Sequence, residues 1–276
     1  MPELPEVETV RRTLEPRILG RQVAVACLRR KDICEPLAGS KRTPEHMLQG
    51  STIVGTMRHG KQLAIYADHG QVVCVHLGMS GVLSWTTSLP KFTAADHAHA
   101  WWRFDDGSAM VFADPRRFGG LWLAPDLPTL RREKWGTLGI DGLMVYGHAL
   151  HREAGQSERN VKAALLDQKV VAGVGNIYAD EALFASGIAP TRACLTLSEA
   201  DWDRLAASIR RVLGDAIEAG GSTLRDYRDA NGAKGSHQTR HAVYGRGGEA
   251  CLTCRGVLTQ ATLGQRTTVW CKQCQK

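Results

Sequence analysis

The pattern of apolar and polar positions divides the chain into a helical start, a strand-rich stretch and a helical remainder. Residues 3–18 read as a helix. Proline and glutamate crowd its first turn, where unpaired N–H groups and the helix dipole favour them, and Gly20 suits the stop. From about residue 21 to 124, short runs rich in Val, Ile and aromatics recur: "STIVGTM", "QLAIYA", "QVVCVHL", "AWWRF", "AMVFA" and "GLWLA". Gly, Asp and Pro separate them, which predicts a β-sandwich or barrel, with "DHG" and "DDG" as hairpin turns.

Residues 125–150 carry Pro125, Pro128 and several glycines and read as connecting chain with a short helix. "SERNVKAALLDQ" predicts one helix and "NIYADEALFASG" a second that ends on glycine. The third, "SEADWDRLAASIRRVLGDAIEAGG", opens with Ser198 and Asp201 spaced as an acidic capping box. Its stripe of Trp202, Leu205, Ile209, Val212, Leu213, Ala216 and Ile217 recurs at helical spacing and predicts a core face. Residues 221–248, rich in Gly, Arg, His and Ser, read as a mobile cationic loop.

Composition adds a direction. The 276 residues carry 35 Lys and Arg against 28 Asp and Glu, a formal charge of +7. That balance favours a polyanionic partner without identifying it. No apolar run approaches the ~18 residues of a membrane span, and the acidic first residues lack a secretion signal's basic and apolar regions. A soluble protein of the cytoplasm is expected.

The eight cysteines fall into two groups. Cys27, Cys34, Cys74 and Cys194 are scattered and expected as small buried hydrophobes. Cys251-x2-Cys254 and Cys271-x2-Cys274 are separated by sixteen residues. Two such hooks match a tetrahedral zinc site with four thiolate ligands, on a β-hairpin formed by "LTQATLGQRTTVW" around Gly264. Two disulfides or a redox pair are the rival readings; an intracellular setting argues against disulfides, and no βαβ pattern surrounds these cysteines as a redox pair would have. Arg266 falls near the hairpin tip, where a phosphate could reach it or solvent could surround it. Gly173, Gly175 and Asn176 precede a helix, as in a backbone anion site, with Lys162 available to the same anion. A tight helix-to-helix turn explains these glycines about as well.

Taken together, "MPELPEVETVRRTLEP", "GKQLAIYA", "HLGMSG", "DPRRFGG", "VVAGVGNIYADEALF", "GGSTLRDY", "VYGRGGEAC" and the four cysteines resemble the formamidopyrimidine-DNA glycosylase and endonuclease VIII family from end to end. The resemblance implies an α+β, multidomain fold. Residues 1–130 would form the N-terminal helix and β-sandwich, and 131–150 a linker. Residues 151–235 would form a helix–two-turns–helix domain with a lesion loop, and 236–276 a zinc β-hairpin finger.

The resemblance also implies chemistry. With Met1 removed, Pro2 presents a secondary amine whose pKa, about 8 for an α-amino group, falls further at a helix start. Such an amine attacks the sugar C1′ of a damaged nucleotide, and the resulting iminium drives β- and then δ-elimination. Glu3 is implied as general acid/base, with Glu6 supporting it, and Lys61 and Arg266 as catalytic cations on the DNA. Met79, Arg116 and Phe118 match the trio that fills the space of an extruded base. His76, Asn176 and Tyr244, with Arg266, match phosphate-contacting positions. Ser222, Arg225 and Tyr227 lie in the loop that closes over the lesion, and Ser80 lies near the base pocket. One structural Zn2+ and double-stranded DNA with oxidised bases or abasic sites are implied, for a monomer with no membrane partner.

The chain departs from the family at His237 and His241, where an aromatic residue and a leucine are usual, and at Arg255, where glycine is usual. Two other activities compete with excision of oxidised purines. One is an endonuclease VIII-like glycosylase for oxidised pyrimidines; the other is a zinc-ribbon DNA-binding protein without catalysis.

Overall fold

The computed structural model describes residues 2–41 and 43–276. It separates into two compact units, residues 1–137 with 220–235, and residues 138–219 with 236–276.

The first unit begins with α1 (Leu4–Ile18), whose Val7, Val10, Leu14 and Ile18 are buried. The expected stop is present: Leu19 leaves the helix and Gly20 turns at φ +76°. Two sheets follow. One contains β1 (Val23–Leu28), β6 (Val82–Thr86), β7 (Ala98–Phe104) and β8 (Ala109–Ala113), in the order β1-β7-β8-β6. The other contains β2 (Cys34–Pro36), β3 (Ile53–His59), β4 (Gln62–Ala67), β5 (Val72–His76) and β9 (Gly120–Ala124), in the order β2-β9-β5-β4-β3. All six apolar runs singled out in the sequence are strands of this sandwich. Its core gathers Leu63, Ile65, Val73, Val75, Trp102, Phe104, Phe112 and Leu121 with the buried face of α1. Helix α2 (Leu127–Glu133) starts on Asp126, which accepts the Thr129 amide at 2.7 Å.

Residues 220–235, expected to continue the helical domain, pack in this first unit instead. Ala230 accepts the Trp85 amide at its carbonyl, Thr13 Oγ1 accepts the Ala230 amide, and Tyr227 and Ala230 join the sandwich core.

The second unit opens with the short parallel pair β10 (Ile140–Asp141) and β11 (Val171–Ala172). Its helices are α3 (Gly147–Ala154), α4 (Val161–Leu166), α5 (Asn176–Ser186) and α6 (Glu199–Glu218). Helix α4 is joined to α5 through the turn that carries β11. Helix α4 is shorter than the twelve-residue segment expected for it. Asn160 accepts the Ala163 amide and starts the helix late, because Arg159 and Val161 bond to the Arg192–Cys194 segment instead. The capping box of α6 forms: Ser198 Oγ accepts the Asp201 amide and Asp201 accepts the Ser198 amide. Trp202, Leu205, Ile209, Leu213, Ala216 and Ile217 are its buried face, with Val212 partly exposed. The chain closes with the hairpin β12 (Thr259–Leu263) and β13 (Arg266–Trp270), turned at Gly264 and Gln265, both at positive φ. Among the described residues no helix is long and apolar enough to cross a membrane.

Candidate functional site

The N-terminal residues are held by carboxylates. Glu3 is the N-cap of α1, and its amide donates to Glu6 Oε2 at 2.8 Å. Glu6 Oε1 accepts the Ser222 amide at 2.7 Å. Pro2, Glu3 and Glu6 are all buried. Gly221 is required at this contact: its φ is +79°, and a Cβ would stand 2.9 Å from Glu6 Oε1. The Tyr227 hydroxyl lies 3.2 Å from the Gly220 carbonyl, and burial together with the nearby Glu6 charge raises its phenol well above the ordinary value. Ser222 and Tyr227 are therefore the loop's buried anchors, while Leu224, Arg225 and Asp226 are exposed at its tip. Met1 lies outside the described residues.

Lys61 sits in the two-residue β3–β4 turn, beside Gly60, which adopts φ +56°. The turn is tied to α1 through Arg58, which donates to Glu8 Oε2 at 3.1 Å and to the Gly60 carbonyl at 2.9 Å. Glu8 also takes Arg11 and Arg12, and these guanidinium groups overcome its burial and bring its carboxyl down to about 2. On the next strand His76 stands opposite Gln62. Burial first, then the positive charges of Lys61 and Lys134, bring its imidazole down to about 4. It is a neutral donor and acceptor at neutral pH.

Met79, Arg116 and Phe118 come from two segments joined by one carboxylate. Asp114, 1 % exposed, accepts the Ser80 hydroxyl at 2.6 Å on Oδ1 and the Gly119 amide at 2.7 Å on Oδ2. The Arg116 amide donates to Ser80 Oγ at 3.2 Å. Gly78 permits this approach, since a Cβ there would lie 2.4 Å from the Phe118 carbonyl carbon. Phe118 is left 51 % exposed with the Arg116 guanidinium 4.7 Å above its ring. An exposed aromatic capped by a cation suits stacking with a base.

In the second unit, Gln168 shapes the turn before α5. Its Nε2 donates to the Val174 carbonyl at 2.8 Å, and its Oε1 accepts the Gly173 amide at 2.9 Å. Gly173 has φ +104°. Asn176 opens α5, donates to the Thr267 carbonyl at 3.1 Å, and has its Oδ1 buried without a hydrogen-bond partner.

Lys162 does not face an anion at this turn. It is 1 % exposed and its Nζ lies 2.7 Å from Asp180 Oδ1, 2.7 Å from Thr268 Oγ1 and 3.1 Å from the Thr267 carbonyl. Its charge is consumed inside the protein, in linking α4 and α5 to the hairpin. Burial pushes the Asp180 carboxyl up to about 6 in spite of that ammonium. Asp180 Oδ2 also accepts the Val269 amide at 3.1 Å.

The neighbouring Glu181 accepts three successive amides, those of Ala242, Val243 and Tyr244, at 2.8–2.9 Å. It thereby fixes the backbone of Tyr244. His237 and His241 are both buried. Their rings join Tyr178 and Tyr244 in a run of centroids 5.5–5.9 Å apart. Burial lowers both imidazoles, His241 to about 4, so they pack as neutral rings. Arg255 takes φ +66°, in the left-handed region that favours glycine.

Arg266 is exposed as the first residue of β13. The four sulfur atoms of Cys251, Cys254, Cys271 and Cys274 lie within 4.8 Å of one another. Cys251 and Cys274 are separated by 3.9 Å and Cys254 and Cys271 by 3.4 Å, and none is in a disulfide. A tetrahedral ion with sulfur ligands at about 2.3 Å requires sulfurs about 3.8 Å apart. This set can hold a metal ion. Asp114 with Ser80, Glu8 with Arg58, Asp180 and Glu181 gave no signal in the sequence, because these partners are distant along the chain.

The comparisons with known proteins agree with this geometry. Residues 1–121 match the model of the formamidopyrimidine-DNA glycosylase N-terminal domain, and residues 144–228 that of its H2TH domain. The chain is 43 % identical over 278 residues to a formamidopyrimidine-DNA glycosylase of Xanthomonas campestris, with both chains fully covered. It is 41 % identical over 282 residues to that of Stutzerimonas stutzeri, again with full coverage. The crystal structure of MutM (Fpg) from Thermus thermophilus superposes with TM-score 0.86 at 37 % identity, covering 99 % of this chain and 98 % of that one. A Lactococcus lactis Fpg mutant in complex with Fapy-dG-containing DNA superposes with TM-score 0.87 at 31 % identity over the whole of both chains. The chain therefore belongs to the formamidopyrimidine-DNA glycosylase family.

Proposed function

We propose that this protein is a bifunctional DNA glycosylase and abasic-site lyase that removes oxidised purines, 8-oxoguanine and formamidopyrimidines, from double-stranded DNA. The observation that carries the reading is the Pro2–Glu3 segment, fixed at the start of α1 by Glu6, whose other oxygen holds the lesion loop at Ser222. One carboxylate so couples the nucleophile's position to the loop that closes on the base.

The Pro2 nitrogen, freed of Met1 and neutral, attacks C1′. The C1′–N bond breaks and the base leaves with a proton. Glu3, adjacent to the nucleophile, moves protons on the opening sugar. The iminium acidifies the C2′ protons; loss of one expels the 3′ phosphate, and a second elimination expels the 5′ phosphate. Lys61 and His76 in the first unit, and Asn176, Tyr244 and Arg266 in the second, supply phosphate contacts. Met79, Arg116 and Phe118 occupy the gap left by the extruded nucleotide, and Arg225 at the loop tip meets the extruded base. Lys162 acts from within, as a brace. Zn2+ is the ion for the four thiolates, a structural one. The protein works as a monomer in the cytoplasm.

The test is reduction with borohydride in the presence of lesion duplexes. An adduct mapped to residue 2 on 8-oxoguanine or formamidopyrimidine duplexes supports the reading. Adduct on oxidised pyrimidines alone moves the assignment to the endonuclease VIII branch. Binding alone is a weak discriminator, since the Lactococcus lactis Fpg is also known in complex with an oxidised-pyrimidine-containing DNA. Binding with no adduct, in protein whose mass confirms loss of Met1, indicates a non-catalytic DNA-binding protein.

A further inference from the structure

We propose that Lys134, seated on the Trp122 indole beside His76, is an additional contact for the DNA phosphodiester backbone; the inference rests on the function proposed above. Lys134 is the C-cap of α2, its amide bonded to the Leu130 carbonyl. Its Nζ lies 3.7 Å from the centroid of Trp122. The indole is itself fixed, because its Nε1 donates to Glu35 Oε2 at 2.8 Å. The ring of His76 lies 6.4 Å from the same indole.

Three basic side chains thus gather at one end of β5. The charges of Lys61 and Lys134 both act on His76, and Asp114 is the acidic group that opposes them there. No carboxylate pairs with Lys134 among the described residues. The two ammonium groups repel one another while His76 stays a neutral donor, and the repulsion is offset when an anion is bound. The aromatic face orients the ammonium without using all its N–H donors, so an anion meets a placed donor at a reduced entropic cost. A phosphodiester is the anion that also reaches Lys61 and His76, as successive phosphates of one strand would. The bland alternative is that Lys134 only stabilises α2, through the ring and the helix C-terminal dipole.

The experiment compares wild type, Lys134→Gln and Lys134→Arg, each with its metal content verified. Affinity for an undamaged duplex is measured over a salt series. If Lys134 meets a phosphate, Lys134→Gln lowers the slope of log K against log salt by about 0.9, and Lys134→Arg restores it. A slope in Lys134→Gln equal to wild type overturns the proposal, whatever happens to the melting temperature. Borohydride trapping of wild type on an 8-oxoguanine duplex is run alongside. Absence of an adduct there refutes the glycosylase reading, while the slope still decides the role of Lys134.

Discussion

Arg58 Nε lies 3.1 Å from Glu8 Oε2, and both side chains are less than a tenth exposed. Through this pair the first helix holds the turn that carries Lys61, because Arg58 also grips the Gly60 carbonyl. Removing one partner of a buried ion pair leaves an uncompensated charge and costs about 3 kcal/mol or more. Glu8→Gln is therefore expected to lower unfolding free energy by about that amount in urea titration, and to slow adduct formation at saturating DNA. Unchanged stability would refute the coupling. Because the folded Glu8 carboxyl is held at about 2, below its ordinary 4.5, its contribution is complete above pH 4.5 and is lost as pH falls toward 2.

His76 and His241 set the next window up. Both are lowered from 6.5 to about 4, so the unfolded chain takes up protons first as pH falls. Their folded-state advantage is intact above pH 6.5 and erodes between 6.5 and 4, each imidazole removing up to about 1.4 kcal/mol for every pH unit descended. His241→Leu, which removes the imidazole, should flatten the stability profile in that range. A profile as steep as wild type would show that His241 titrates normally.

Lys162 is expected to matter for stability and not for salt dependence. Lys162→Met leaves Asp180, already raised to about 6, buried without its cation. Several kcal/mol of destabilisation should follow, with the salt slope of DNA binding unchanged. The double change Lys162→Met with Asp180→Leu should recover much of the loss. A reduced salt slope in folded Lys162→Met would return this lysine to the DNA.

The cysteine cluster is tested by Cys254→Ser. Zinc content, read by a chromogenic chelator, should fall from one per chain, and lesion-duplex affinity should drop more than the rate of chemistry at saturating DNA. Normal lesion binding in zinc-free protein would detach the hairpin from recognition.

The legible parts of this fold are those with local signals. Period and punctuation reveal α1, α5, α6 and six strands, and the CxxC spacing reveals the four-cysteine cluster. Strands β1, β2 and β6 escape. β2 has three residues, and "VLSWT" in β6 alternates burial too weakly to stand out. The late start of α4 depends on a bridge from Asn160 to Ala193, which local propensity cannot anticipate. The site divides in the same way. Glu3, Lys61 and Arg266 are candidates that neighbouring motif residues suggest. What orients their surroundings is not suggested in this way: Asp114 reaches back 34 positions to Ser80 and Glu181 forward 61 to Ala242. Lys162 misleads because sequence shows a cation near a turn and hides the carboxylate that neutralises it.

Asp180 and Glu181, adjacent on α5, grip the two flanks of the metal hairpin, one at Val269 and the other at Ala242–Tyr244. The finger consequently hangs from a helix as well as from any ion that its four cysteines hold. Stripping the metal would unravel the knuckles while their roots stay tethered, so the thiols remain near one another. Remetallation then becomes a short local search and not a refolding of the whole module.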